Sequence, residues 1–103
     1  MTVPVVTHPE AEEEIQAARV WYDVISTGLG DGFVARVLES LDRIASNPRL
    51  YVDVGGGLHR ASVRRFPYHI YYRIGPDFIS VLAVFHSHAD RRKVIGRAAR
   101  RVL

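Results

Sequence analysis

Two adjacent runs, 68–74 and 78–85, constrain this chain more than any other feature. In the first, Tyr68, Ile70, Tyr72 and Ile74 alternate with His69, Tyr71 and Arg73. That is the period-two pattern of a strand with two unlike faces. The second run is apolar almost throughout, as a central strand covered on both sides requires. Gly75-Pro76-Asp77 lies between them and supplies turn chemistry. The pair reads as an antiparallel hairpin whose polar face carries histidine, tyrosine and arginine. Residues 59–65 precede it and extend it to a three-stranded meander over 59–65, 68–74 and 78–86.

The segments before the meander are helical. Val3 to Val6 is apolar but contains Pro4, which confines it to a sheet edge. Thr7, with Glu10 three residues on and Pro9 between, predicts a capped helix start. Glu10, Glu12, Glu13 and Glu14 fall where the helix dipole favours negative charge, and read as a solvated first turn. The helix runs to about Ile25 on the spacing of Ala11, Ile15, Ala18, Tyr22 and Ile25; Trp21 and Tyr22 are assigned to the core. Gly28, Gly30 and Gly32 follow a helix rather than a strand, so they form a helix–helix connection and not a nucleotide loop. A second helix over 31–46 is predicted from Phe33, Val37, Leu41 and Ile44, and Asn47-Pro48 ends it. Residues 49–58, closing in three glycines, read as a flexible linker, with Asp53 as a loop cap. Residues 90–101 make a basic helix or frayed tail, with Asp90 at its N-cap. The expected architecture is α+β in a single domain, 1–103. It comprises an N-terminal edge strand, an antiparallel helical hairpin, a three-stranded antiparallel β-meander and the short basic C-terminal element.

At 103 residues the chain is long enough for one core without staples. It has no cysteine, which excludes thiolate chemistry and a disulfide framework and fits a cytoplasmic location. No basic-then-apolar leader pattern opens it, and no apolar run is long enough to span a membrane. The net charge of +3 conceals a division. Residues 1–58 hold four arginines against nine acids, net −5, and residues 59–103 hold ten Lys or Arg against two acids, net +8. A basic half of this kind suits an anionic partner, either nucleic acid or an acidic peptide.

Several residue groups together resemble one family. They are Trp21-Tyr22, Gly28-Leu29-Gly30, Asn47-Pro48 with Leu50-Tyr51, then Arg64-Arg65-Phe66-Pro67-Tyr68 with Tyr72-Arg73, and Val81 to His86. In this order they resemble the ParE/RelE superfamily of toxins from type II toxin–antitoxin systems, over about residues 5–92. The resemblance implies a cytoplasmic bacterial protein that inhibits growth and is neutralised by a cognate antitoxin whose C-terminal segment wraps it. It also implies plasmid stabilisation among the family's roles. No cofactor is implied.

Members of that superfamily divide between two mechanisms. RelE-like toxins bind the ribosome and cleave mRNA, whereas ParE-like toxins poison DNA gyrase. Cleavage through a ribose 2′-oxygen needs a proton acceptor, cations for the phosphate charge and a proton for the leaving oxygen. In the RelE-like register those positions fall on Arg60, Ser62, His69, His88 and Val94. Valine has no proton to give, so the sequence sits nearer ParE than RelE, and gyrase is the expected target. Should it be a nuclease, the candidates are Arg60, Arg64, His69, Arg73, His86 and His88, since histidine titrates near neutrality. For antitoxin or target binding they are Arg60, Arg64, His69, Tyr71, Arg73, His86, Arg91 and Arg92. A toxin that only binds its antitoxin is a further alternative. His86-x-His88-x-Asp90 has no supporting ligands near it in sequence and is not assigned as a metal site. Arg65 is expected, by strand parity, to face the helices and pair with an acid there.

Overall fold

The computed structural model describes residues 2–103. Five strands and three helices follow in the order β1 (Val5–Thr7), α1 (Pro9–Ile25), α2 (Leu29–Ser46), β2 (Val52–Asp53), β3 (Leu58–Ser62), β4 (Tyr68–Ile74), β5 (Ile79–His86) and α3 (Arg91–Arg100). The strands form one sheet in the order β1-β5-β4-β3-β2. β2, β3, β4 and β5 are antiparallel neighbours, while β1 runs parallel to β5, with Thr7 opposite Val81. The α+β architecture is the expected one. The sheet is mixed rather than wholly antiparallel, because the chain crosses from β1 through the helical hairpin before it returns.

The α1–α2 hairpin covers one face. Ala11, Ile15 and Ala18 from α1 and Phe33, Val37 and Ile44 from α2 meet Ala61, Ile70, Tyr72, Ile79, Val81 and Val84 of the sheet. Tyr22, Phe33, Phe66 and Tyr68 interlock at one end, with ring centroids 4.9 to 6.1 Å apart in mostly edge-to-face pairs. Each such pair adds about 0.5–1.5 kcal/mol beyond the buried area. Two devices close the hairpin. Gly28 takes φ 88°, which turns the chain, and the Asp23 carboxylate accepts from the Gly30 N–H at 2.8 Å, satisfying an orphan donor of α2. A Cβ at Gly30 would strike the Arg19 carbonyl of α1.

α3 covers the other face. Its Val94 and Ala98 pack on Leu58, Tyr71, Leu82 and Ala83. The pairing slips by one residue between Tyr71 and Tyr72, the mark of a β-bulge. Leu82 and Ala83 therefore both reach the α3 side, while Val81 and Val84 reach the hairpin side.

β1 is too short to pair with all of β5. Beyond Val81 its place is taken by the Glu14 carboxylate, whose Oε1 accepts from the Val84 N–H at 3.0 Å. Arg101, just after α3, clamps this carboxylate. Its guanidinium lies 2.7 Å from Glu14 Oε2 and 2.7 Å from Glu10 Oε2, and its Nη1 donates to the Leu82 carbonyl at 2.9 Å. It also sits over the Phe85 ring, 5.7 Å from the centroid. One cation thus fastens α1, β5 and the end of α3 together.

Several local expectations are corrected. The cap of α1 is His8, whose Nδ1 accepts from the Glu10 N–H at 3.1 Å, and not Thr7, which is the last residue of β1. α2 begins at Leu29, two residues before the expected Asp31. The supposed linker contains β2 and the fully buried Leu58, because Asp53 Oδ1 bonds the Gly55 N–H at 2.7 Å and turns a hairpin. Asp53 does therefore cap that loop. The strand expected over 59–65 spans Leu58–Ser62 instead, since the chain turns at 63–67. The C-terminal element is a helix rather than a frayed tail, capped by Asp90, which accepts from the Arg92 and Lys93 N–H groups. Trp21 is 61% exposed and not in the core, whereas Tyr22 is packed as expected. Glu14 is half-buried rather than solvated, for the reason just given.

Candidate functional site

Strand pairing sets the site. On β3 and β4 the register places Leu58 opposite Arg73, Arg60 opposite Tyr71, and Ser62 opposite His69. Alternation puts all six on one face, and the packing of Leu58 and Tyr71 beneath α3 identifies it as the α3 face. The helix covers the middle of that face. Tyr71 is left 4% exposed, so it belongs to the core and offers a partner almost no surface. Arg60, His69 and Arg73 stay partly open around it, and Ser62 is exposed.

His69 is the most chemically distinctive of these groups. Its Nδ1 lies 3.3 Å from Ser62 Oγ, and its ring meets Tyr71 edge-on at 6.4 Å. Burial, reinforced by the Arg60 guanidinium, pushes its pKa below the ordinary 6.5. The imidazole is therefore neutral at pH 7, beside a cation and a hydroxyl. Arg73 is committed locally: its Nη1 donates to the Gly56 carbonyl and ties the glycine loop to β4. On the opposite face, Tyr72 stacks on His59 and donates to the Pro48 carbonyl at 2.6 Å. Burial pushes its pKa up to about 12.

Of the three candidate histidines, His86 and His88 lie together with ring centroids 5.1 Å apart, and His69 stands apart from them. The His86 ring packs against Tyr68 at 5.3 Å, and Tyr68 belongs to the core under the α1–α2 hairpin. The bulge in β5 shifts the alternation beyond it, so His86 points to the face opposite His69. His86 Nδ1 also accepts from the His88 N–H at 3.0 Å, while His88 is exposed in the connection to α3. Asp90 is used as the helix cap. Among the described residues no three His, Cys, Asp or Glu side chains are grouped to hold a metal.

Arg64 and Arg65 sit in the turn between β3 and β4, both exposed, and Arg65 takes a left-handed φ of 68°. It has no acid partner on the helices, because the strand has already ended and parity no longer applies to it. Arg91 and Arg92 are exposed on the first turn of α3. The cations of the basic half are thus spread over β3, β4, the turn between them, α3 and the residue after it. Sequence reasoning missed the Glu10–Glu14–Arg101 clamp. Its signal was two like charges at i and i+4, which repel unless a cation lies between them.

A family model, the ParE toxin of type II toxin-antitoxin systems, parDE, matches residues 5–91. The chain belongs to the ParE toxin family. Among solved structures it is similar to a chain of the chromosomal ParDE toxin–antitoxin system from P. aeruginosa. That match has a TM-score of 0.73 and 15% identity, and covers 82% of this chain and 96% of that one. It is also similar to a mutant of the E. coli toxin RelE in the free state. There the TM-score is 0.74 and identity 17%, and both chains are covered in full. At these identities the likeness is one of fold. No curated protein matches the chain. The family model covers every element from β1 to the first residue of α3, and so includes the α3 face of the sheet but little of the helix upon it. No helix of the described residues is long and apolar enough to cross a membrane.

Proposed function

We propose that this ParE-family toxin inhibits growth by acting on DNA gyrase, and that a cognate antitoxin, binding partly through charge pairing with its basic half, neutralises it. The observation that carries the gyrase reading is Val94. In the RelE-like register this residue stands where a tyrosine would protonate the leaving oxygen. Here it is 4% exposed and packed among Tyr71, Leu82, Ala83 and Ala98. It has no proton to transfer and no access to a substrate. The separation of His86 from His69 also leaves the Arg60 face of the sheet with one strand histidine rather than an acid–base pair. Both observations support a toxin that acts by engaging a target.

One observation favours a second reading, a ribosome-dependent mRNA endonuclease. His69 is neutral beside Arg60, a combination suited to accepting a 2′ proton near phosphate charge. The two readings part in one experiment. Purified toxin is incubated with gyrase and relaxed plasmid, and separately with translating ribosomes. Under the gyrase reading, supercoiling is inhibited, cleaved DNA accumulates and the mRNA stays whole. In cells the arrest comes with filamentation and DNA-damage signalling. Cleavage of mRNA within translated codons, with gyrase unaffected, supports the nuclease instead. A chain that binds its antitoxin but produces neither effect is an antitoxin-binding module only.

A further inference from the structure

We infer that α3 is a docking ridge for the phosphate backbone of duplex DNA. Five of its ten residues are cations: Arg91, Arg92, Lys93, Arg97 and Arg100. All five are exposed, and none is within ion-pair distance of a carboxylate among the described residues. Their arrangement follows from the helix period. Val94 and Ala98 face the sheet. Lys93, Arg97 and Arg100, at i, i+4 and i+7, therefore form one stripe about 10 Å long. Arg92 stands on the outward crest itself, between Gly96 and Ala99. A stripe of that length matches about three phosphates of one strand, which recur every ~3.4 Å along the duplex axis.

The ridge is presented rigidly. Asp90 caps its start, and Arg101 pins its end to Glu10, Glu14 and the Leu82 carbonyl. Arg100 folds back only through its Nε, which donates to the Gly96 carbonyl at 3.0 Å, leaving the rest of its fork free. Beside the stripe a cleft of about 770 Å³ separates Arg97 and Arg100 from Glu13 on α1, which pairs with neither.

Two absences select duplex DNA over other anions. Single-strand binders use exposed rings as stacking platforms. The only exposed Phe, Tyr or Trp among the described residues is Trp21, on the hairpin; Tyr71 is buried and Phe85 lies under Arg101. An acidic peptide that folds on docking needs apolar surface to offset its ordering, and the outward side of α3 offers only Gly96, Ala99 and part of Ile95, with Val102 and Leu103 beyond its end.

The inference does not depend on the gyrase reading, and its test contains no gyrase. The full-length chain is titrated into a fluorescent 20-base-pair duplex by anisotropy at several salt concentrations. With four phosphate contacts, from the stripe and Arg92, log K falls against log salt with a slope of about −3.6. The K93Q/R97Q/R100Q variant, at exposed positions and with an unchanged circular-dichroism spectrum, reduces that slope by about 2.7. R97Q alone reduces it by about 0.9 and serves if the triple variant is not folded. A matched triple on the hairpin side, R36Q/R43Q/R49Q, leaves it unchanged. Three results each overturn the inference: no binding to the duplex, a slope indifferent to the α3 substitutions, or tighter binding to single-stranded RNA or polyglutamate at equal salt.

Discussion

Replacing Arg101 by alanine tests how the two faces of the sheet are held together. The Arg101 side chain is 11% exposed and Glu14 18%, so removing the cation strands a carboxylate and the Leu82 carbonyl in a largely dry place. Breaking a fully buried pair costs about 3–5 kcal/mol, and a charge-assisted hydrogen bond about 1.5–3 kcal/mol. Glu10 is 57% exposed and adds little after solvent screening. The remaining Glu14 and Leu82 contacts give an expected loss of about 2–3 kcal/mol. For a domain of this size that lowers the melting midpoint by roughly 8–24 °C. Urea unfolding followed by circular dichroism measures it, and hydrogen exchange locates it, with faster exchange at the Val84 amide and along α3. Arg101→Ala combined with Glu14→Gln should recover part of the loss, because the stranded charge is gone. A single-variant loss below about 0.5 kcal/mol, within the range of an ordinary surface substitution, would refute the clamp.

Other consequences follow from single contacts. Gly30→Ala drives a methyl into the Arg19 carbonyl and should cost about 1–3 kcal/mol or more by chemical denaturation, whereas Gly32→Ala, which meets nothing within 4 Å, should not destabilise. Tyr72→Phe removes the bond to the Pro48 carbonyl and should cost about 0.5–1.5 kcal/mol. His69 has a folded pKa below 6.5, so the unfolded chain binds the extra proton first. Its contribution is intact above pH 6.5 and is lost as pH falls through the folded value. Stability measured from about pH 7.5 to about pH 5 should decline less in His69→Asn than in the parent, and an identical decline contradicts the assignment.

How much of this was legible depends on where the signal lay. Local patterns carried the helical hairpin and β4–β5, because the period of Tyr68–Ile74 and the stripe from Phe33 to Ile44 are set by burial on one side. Thr7 against His8 was beyond such a pattern, since both precede Pro9 and the chain geometry at β1 decides which is free to cap. The strand β2 is two residues long, and its partner β3 supplies the pairing that its own composition does not advertise. At the site, alternation correctly put Arg60, His69 and Arg73 on one face. It could not foresee the bulge at Tyr71/Tyr72, which sends His86 to the other face, nor the helix that buries Tyr71. Trp21 shows the converse. Its position on a helix allows either side, and tertiary packing chose Tyr22 for the core. Glu14 read as solvent-facing because its partners, Val84 and Arg101, lie 70 and 87 residues away.

The central claim is that this toxin acts by engaging gyrase and not through a proton-transfer site of its own. The most direct measurement is gyrase-dependent DNA cleavage and supercoiling by the parent, His69→Ala and His86→Ala proteins, with mRNA integrity on translating ribosomes read in parallel. The account predicts trapped cleaved DNA and loss of supercoiling for all three, with intact mRNA. It is contradicted if gyrase is untouched while the parent cuts mRNA and His69→Ala, still folded and still bound by antitoxin, does not.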